Sequence, residues 1–68
     1  MFKPEPKEQY WWIDGCGTIR LAIYYTDYKT TEHENRINLG NCFKRERHAK
    51  AALAKLRALF KQIQEETV

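Results

Sequence analysis

The residues best suited to chemistry are the basic side chains around the start of the C-terminal helical segment. A helix N-terminus has unpaired N–H groups and a partial positive charge, so it usually begins with Ser, Thr, Asp or Asn and carries acids in its first turn. Basic side chains placed there instead would attract an anion, and phosphate is the obvious ligand. The residues of this basic cluster, predicted to bind an anion, are Lys44, Arg45, Arg47, His48 and Lys50.

The far end of the same segment has the opposite mismatch. Glu65 and Glu66 lie where bases are favoured. Each misplaced charge costs only about 0.3–1 kcal/mol, so the helix survives both ends. Departures from the preferred residues at helix ends, when nothing in the sequence compensates for them, often occur at functional sites. The competing interpretation is a solvated basic end with Asn41 as an imperfect cap.

Aromatic and basic residues alternate along the strand-like segments and form a second candidate site. We call them the aromatic face: Tyr10, Trp12, Arg20, Tyr24 and Arg36. Three interpretations stay open. The N-terminal arm or the loop covers this face, a second copy of the chain covers it, or bases stack on its rings as in single-strand binders.

Catalytic and metal-binding patterns are missing from the sequence. No Gly-rich phosphate loop, Cys-x-x-Cys or His-x-x-x-His is present. The spacing of Cys16, His33, Cys42 and His48 matches no standard zinc site. We therefore expect no metal, no cofactor and no enzymatic activity.

Composition indicates one small soluble domain. The chain has 68 residues, a net charge of +3 and 13% aromatic residues, which permits an anionic partner without requiring one. Neither an apolar run long enough to span a membrane nor the apolar core of a signal peptide is visible. We expect a protein of the cytoplasm in which Cys16 and Cys42 are free thiols.

The elements that must position these residues follow from periodicity. We predict an extended arm over residues 1–8, a β-meander over 9–43 and a helix over 44–65. The meander has strands at 10–14, 18–25 and 36–39, with a long polar loop at 26–35. Apolar residues recur every three or four positions along the helix. The predicted class is α+β, a three-stranded antiparallel β-meander with one C-terminal amphipathic helix packed on one face.

One helix can cover only one side of such a sheet. We predict that the covered side packs on Leu53, Leu56, Phe60 and Ile63. Its residues are Trp11, Ile13, Ile19, Leu21, Ile23, Ile37 and Leu39. The aromatic face is then left for a partner.

Several strings resemble small uncharacterised proteins of bacteriophages and prophages. They are Tyr10-Trp11-Trp12-Ile13-Asp14, Gly17-Thr18-Ile19, Asn35-Arg36, Gly40-Asn41-Cys42-Phe43-Lys44 and Ala49. The family tends to continue with Thr and acids after Phe-Lys, where this chain has Arg45, Arg47 and His48. The resemblance implies no activity, but it suggests a protein of the host cytoplasm that acts on host machinery.

From these features we expect a non-enzymatic, phage-encoded binding protein that inhibits or sequesters a component of host defence. Its partner would be a host protein or a phosphate-bearing nucleotide, and we expect a homodimer or higher oligomer. One alternative is a nucleic-acid-binding accessory protein that uses the aromatic face. Another is a structural dimerisation module.

Overall fold

The computed structural model describes residues 1–26 and 31–67. In chain order these contain strand β1 (Gln9–Ile13), strand β2 (Ile19–Ile23), helix α1 (Thr31–Leu39) and helix α2 (Glu46–Thr67). The fold is α+β with two antiparallel strands and two helices, so the predicted three-stranded meander with one helix is wrong. The predicted loop at 26–35 includes residues 27–30, which lie outside the described residues, and most of its remainder belongs to α1.

Strands β1 and β2 form a hairpin in which Gln9 pairs with Ile23 and Ile13 pairs with Ile19. The turn is closed by Asp14, whose Oδ1 accepts the backbone N–H groups of Cys16 and Thr18, each at 2.9 Å. Gly17 has a φ of +77°, a conformation that glycine adopts without steric cost. The Asp-Gly-Cys-Gly turn and the alternation on either side of it were therefore sufficient to predict the hairpin.

Residues 36–39, predicted as the third strand, form the end of helix α1. The alternation of Ile37 and Leu39 suggested two side chains on one sheet face, but Ile37 is buried and Leu39 is 81% exposed. Gly40 ends the helix with a φ of +82°. The N–H of Asn41 bonds the carbonyl of Arg36, and the N–H of Gly40 bonds that of Ile37. These two bonds form a Schellman motif, which satisfies carbonyls at the end of the helix.

The place of a third strand beside β1 is taken by a single bridge between Trp11 and Phe43. Their backbones exchange two hydrogen bonds of 2.8 Å. The N-terminal arm lengthens the pairing of β1 with β2 at the open end of the hairpin, because the N–H of Lys7 bonds the carbonyl of Tyr24 and the N–H of Tyr24 bonds the carbonyl of Glu8. Short irregular segments thus continue the hairpin at its open end and along the outer edge of β1.

Both sides of the hairpin are covered by helix. On the side of Tyr10, a buried cluster of Tyr10, Ile37 and Cys42 joins the hairpin to α1 and to the residues that follow it, and Phe2 packs against this cluster. Helix α2 contacts both strands on the opposite side, where the side chain of Ala49 is completely buried. The expectation that one side of the sheet is left free is wrong, since it rested on there being one helix.

Helix α2 is longer than the hairpin that it packs on. Its 22 residues span about 33 Å, whereas a strand of five residues spans roughly 17 Å. The molecule is accordingly elongated, with extents of 46 × 23 × 21 Å. The second half of α2 projects beyond the hairpin, and of the four helix residues predicted to pack on the sheet only Leu53 is half-buried.

Candidate functional site

The basic cluster lies across the junction where α2 begins. Lys44 and Arg45 precede the helix, and the carbonyl of Arg45 accepts the N–H groups of His48 at 3.0 Å and Ala49 at 3.4 Å. All five basic residues are exposed. Lys50 forms an ion pair of 3.3 Å with Glu46, four residues earlier, so one of the four Lys and Arg charges of the cluster already has an acidic neighbour.

The helix start does not draw the basic cluster into a single pocket. Successive helical residues point about 100° apart, so Arg47 and His48 extend in different directions from the first turn. An exposed ion pair of the Glu46–Lys50 kind contributes only about 0.3–0.5 kcal/mol and would yield readily to an anionic ligand. Anion binding by the basic cluster stays a prediction.

Asn41 does not cap α2. Its side-chain amide bonds the backbone of Ile13 instead, accepting the N–H at 2.8 Å and donating to the carbonyl at 2.7 Å. The interpretation of Asn41 as an imperfect cap is therefore wrong. The residue continues the edge pairing that Trp11 and Phe43 begin.

The aromatic face lies largely beneath α1. The side chain of Tyr10 is 0% exposed, and its hydroxyl lies 2.6 Å from Nδ1 of His33. Arg36 donates to the same hydroxyl at 3.0 Å and stacks its guanidinium 3.6 Å from the ring centroid of Trp12. The tautomer of the His33 imidazole determines which of the two groups donates in the Tyr10–His33 hydrogen bond.

Tyr24 belongs to the same arrangement, and Arg20 does not. The hydroxyl of Tyr24 donates to Glu34 at 3.3 Å, and its ring meets His33 edge-on at 5.5 Å. Arg20 instead pairs with Asp14 at 2.5 Å beside the hairpin turn. Four of the five aromatic-face residues thus converge, but they hold α1 on the hairpin and leave no platform of free rings.

Burial shapes the acid–base properties of this region. It raises the pKa of the Tyr10 hydroxyl, an effect that the hydrogen bond from Arg36 partly opposes. Burial also raises the pKa of the Cys42 thiol, which keeps that thiol protonated and unreactive. Cys16 is exposed, and neither cysteine is in a disulfide. The guanidinium of Arg36 lies beside these groups and pairs with the carboxylate of Glu32 at 3.8 Å.

A group of exposed apolar side chains lies on the second half of α2, and sequence reasoning missed it. We call it the α2 stripe: Leu56, Leu59, Phe60 and Ile63, with exposed fractions between 37% and 61%. The residues recur at spacings of three and four, so they lie on one side of the helix. The length of the helical segment relative to the short strands was the available signal.

The described residues contain no further site that indicates a function. Between residues 1–26 and 31–67, no three metal-ligating side chains come together, and no helix there is long and apolar enough to cross a membrane. Compared with known proteins, the chain matches no protein-family model, and no curated protein or solved structure is significantly similar to it. Function must therefore be argued from the surface itself.

Proposed function

We propose that this protein is a small non-enzymatic binding protein that contacts another protein through the α2 stripe. The observation that carries the proposal is the mismatch in length between α2 and the hairpin, which leaves Leu56, Leu59, Phe60 and Ile63 without cover. Large contiguous apolar patches are uncommon on the surface of monomeric soluble proteins and often mark interaction sites.

Burial of the α2 stripe by a partner would contribute free energy to binding. Burying a large apolar side chain completely is worth about 1.5–3 kcal/mol, and each stripe residue has roughly half of that left to gain. Phe60 has the largest exposed fraction, 61%, and aromatic residues often dominate the energy of an interface. An amphipathic helix that lies in an apolar groove is a common mode of recognition.

The resemblance to phage proteins suggests the setting. A phage-encoded protein of this kind would inhibit or sequester a host component by occupying its surface, without a chemical step. The exposed basic residues beside the stripe would then favour a host partner with an acidic surface, because complementary charge speeds association and improves specificity.

A second candidate function is binding of a phosphate-bearing ligand, a nucleotide or a nucleic acid, by the basic cluster. The segregation of charge favours it. Residues 44–67 hold seven Lys or Arg and three acids, a net charge of +4, whereas residues 1–43 hold five and six, a net charge of −1. Binding of this kind weakens steeply with salt, so fluorescence anisotropy with labelled oligonucleotides at low and physiological salt would detect it.

Two matched variants test the proposed function. Leu56→Lys with Phe60→Lys adds two charges to the α2 stripe, and Ala54→Lys with Ala58→Lys adds two charges on the other side of the helix at the same spacing. The tagged wild type and both tagged variants, each co-expressed with an untagged copy of the chain, would be recovered from chemically crosslinked host cells and compared by gel electrophoresis and quantitative mass spectrometry, so that another copy of the chain is detected as a partner as well. We expect the stripe variant to lose a protein partner that the wild type and the control retain. Equal recovery of every partner by all three would contradict the proposal.

A further inference from the structure

The polar residues that flank the α2 stripe carry complementary groups. At 100° per residue, Lys55 and Glu66 lie on one flank of the stripe, and Arg57 and Gln64 lie on the other. On each flank, the basic side chain comes first along the helix and the side chain that can accept from it comes later. When two copies of the helix lie antiparallel, the basic side chain of one copy therefore meets the acceptor of the other.

We propose that the protein covered by the α2 stripe is a second copy of this chain, with the two α2 helices antiparallel and centred between Phe60 and Lys61. The inference rests on the proposed function, since it names the partner of the same surface. Two-fold symmetry then places Lys55 of each copy opposite Glu66 of the other, and Arg57 opposite Gln64, so each contact occurs twice.

The apolar residues fit the same register. Leu59 of each copy lies at the level of Gln62 of the other, and Phe60 lies at the level of Lys61, so the side chains of Leu56, Leu59, Phe60 and Ile63 from both helices interleave along about 14 Å of contact. The first half of each α2 is already covered by its own hairpin. Antiparallel packing leaves the two hairpins at opposite ends, where they do not compete for the same space.

A parallel arrangement is disfavoured by charge. Parallel two-fold packing brings opposite flanks of the two helices together at the same level, so Lys55 would meet Arg57 of the other copy. Like charges across an interface oppose association. The antiparallel arrangement replaces this repulsion with two Lys55–Glu66 pairs.

The small size of the contact is typical of a weak, reversible dimer. Two half-helices bury on the order of 1,000 Å² in total, the lower limit for a specific interface. We therefore expect a dimer that dissociates at about 10 μM. The antiparallel pair also separates the two basic clusters by about 44 Å along the helix axis, so a dimer presents them at its two ends.

Sedimentation equilibrium of the purified full chain from about 1 μM to 1 mM tests the proposal. We expect the wild type and Ala58→Lys to dimerise and Phe60→Lys to remain monomeric. Lys55→Glu and Glu66→Lys should each weaken the dimer roughly threefold to tenfold, as two exposed ion pairs would, and the double exchange should restore it to within about twofold. All four substituted positions are exposed, so each variant should fold, and circular dichroism would confirm it.

Two results would overturn the inference. One is a wild type that stays monomeric at every concentration, and the other is a tighter dimer for Lys55→Glu, which indicates parallel packing. A monomeric protein that still loses a host partner through the stripe substitutions would remove the second copy and leave the proposed function intact. A monomeric protein whose partners ignore those substitutions would remove both.

Discussion

The side-chain amide of Asn41 pairs with the backbone of Ile13 as another strand would. It accepts the N–H of Ile13 at 2.8 Å and donates to its carbonyl at 2.7 Å, two residues beyond the bridge between Trp11 and Phe43. One side chain therefore satisfies backbone groups that a third strand would otherwise have to satisfy. This contact joins the segment between the two helices to the edge of the hairpin.

Replacing Asn41 with Ala should lower the free energy of unfolding by about 1–3 kcal/mol, because both partners on Ile13 lose a hydrogen bond in a half-buried position. Urea denaturation followed by tryptophan fluorescence would measure the loss. Asn38→Ala is the matched control, since Asn38 is exposed on α1, and it should change the value by less than about 0.5 kcal/mol. Equal effects of the two substitutions would show that the amide of Asn41 does not matter.

The hydroxyl of Tyr10 should contribute to stability in a pH-dependent way. Tyr10→Phe removes its bonds to His33 and Arg36, and we expect a loss of about 1–3 kcal/mol at neutral pH. Because the pKa of Tyr10 is raised in the folded state, the stability linked to its protonation is complete below the ordinary value near 10 and is lost as pH rises through the folded value.

Denaturation of the wild type and Tyr10→Phe between about pH 7 and 11.5, the range in which tyrosine side chains ionise, would check this dependence. The free energy of unfolding should fall more steeply above pH 10 for the wild type than for the variant. Tyr25→Phe, at an exposed position, should match the wild type. If the free energy of unfolding depended on pH in the same way for all three proteins, the ionisation of Tyr10 would not be linked to folding.

The ionised carboxylate of Asp14 should make the stability of the protein depend on pH in the acid range. The hydrogen bond from Arg20 and the backbone bonds from Thr18 and Cys16 lower its pKa. The stability linked to the ionised carboxylate is therefore present above its ordinary value of 3.8 and is lost as pH falls through the lower folded value. Asp14→Asn can still accept from the turn, so the hairpin should form, and its unfolding curve should be flatter than that of the wild type below pH 4. If the stability of Asp14→Asn fell with acid as steeply as that of the wild type, this role of Asp14 would be contradicted.

Lys7 lies in a conformation that suits glycine. Its φ is +68°, and the N–H of Glu8 bonds the carbonyl of Glu5 at 2.9 Å around Pro6 and Lys7, as in a type II turn. Lys7→Gly should raise the free energy of unfolding by about 0.5–1 kcal/mol by relieving the left-handed backbone. Lys7→Ala keeps the steric penalty and should give no such gain. Thermal unfolding of the three proteins would separate these outcomes.

The hairpin and the long helix could be predicted from local sequence, because each has a clear period and the hairpin has glycines where it turns. Helix α1 could not be recognised from the alternation of Ile37 and Leu39, since four residues are too few to distinguish a strand from the end of a helix. Better signals were available in Thr31 and Glu34, spaced as in a capping box, and in Gly40 as a helix stop.

The candidate site was misjudged for the same reason. With α1 unrecognised, no helix was available to cover Tyr10 and Trp12, and two of the three interpretations gave the aromatic face to a partner. The interpretation in which the chain covers this face agrees with the burial of Tyr10. The α2 stripe was missed because an amphipathic pattern indicates which side of a helix is apolar, but only the length of the hairpin determines how far that side is covered.

In the proposed interaction, Phe60 lies in a contact between protein chains. Site-specific photo-crosslinking would detect this contact, with a benzoylphenylalanine placed at residue 60 in one variant and at residue 58 in the other. The expected result is a strong crosslinked protein band from position 60, dominated by the dimer of this chain, and little crosslinking from position 58. Equal or absent crosslinking from both positions would contradict the claim.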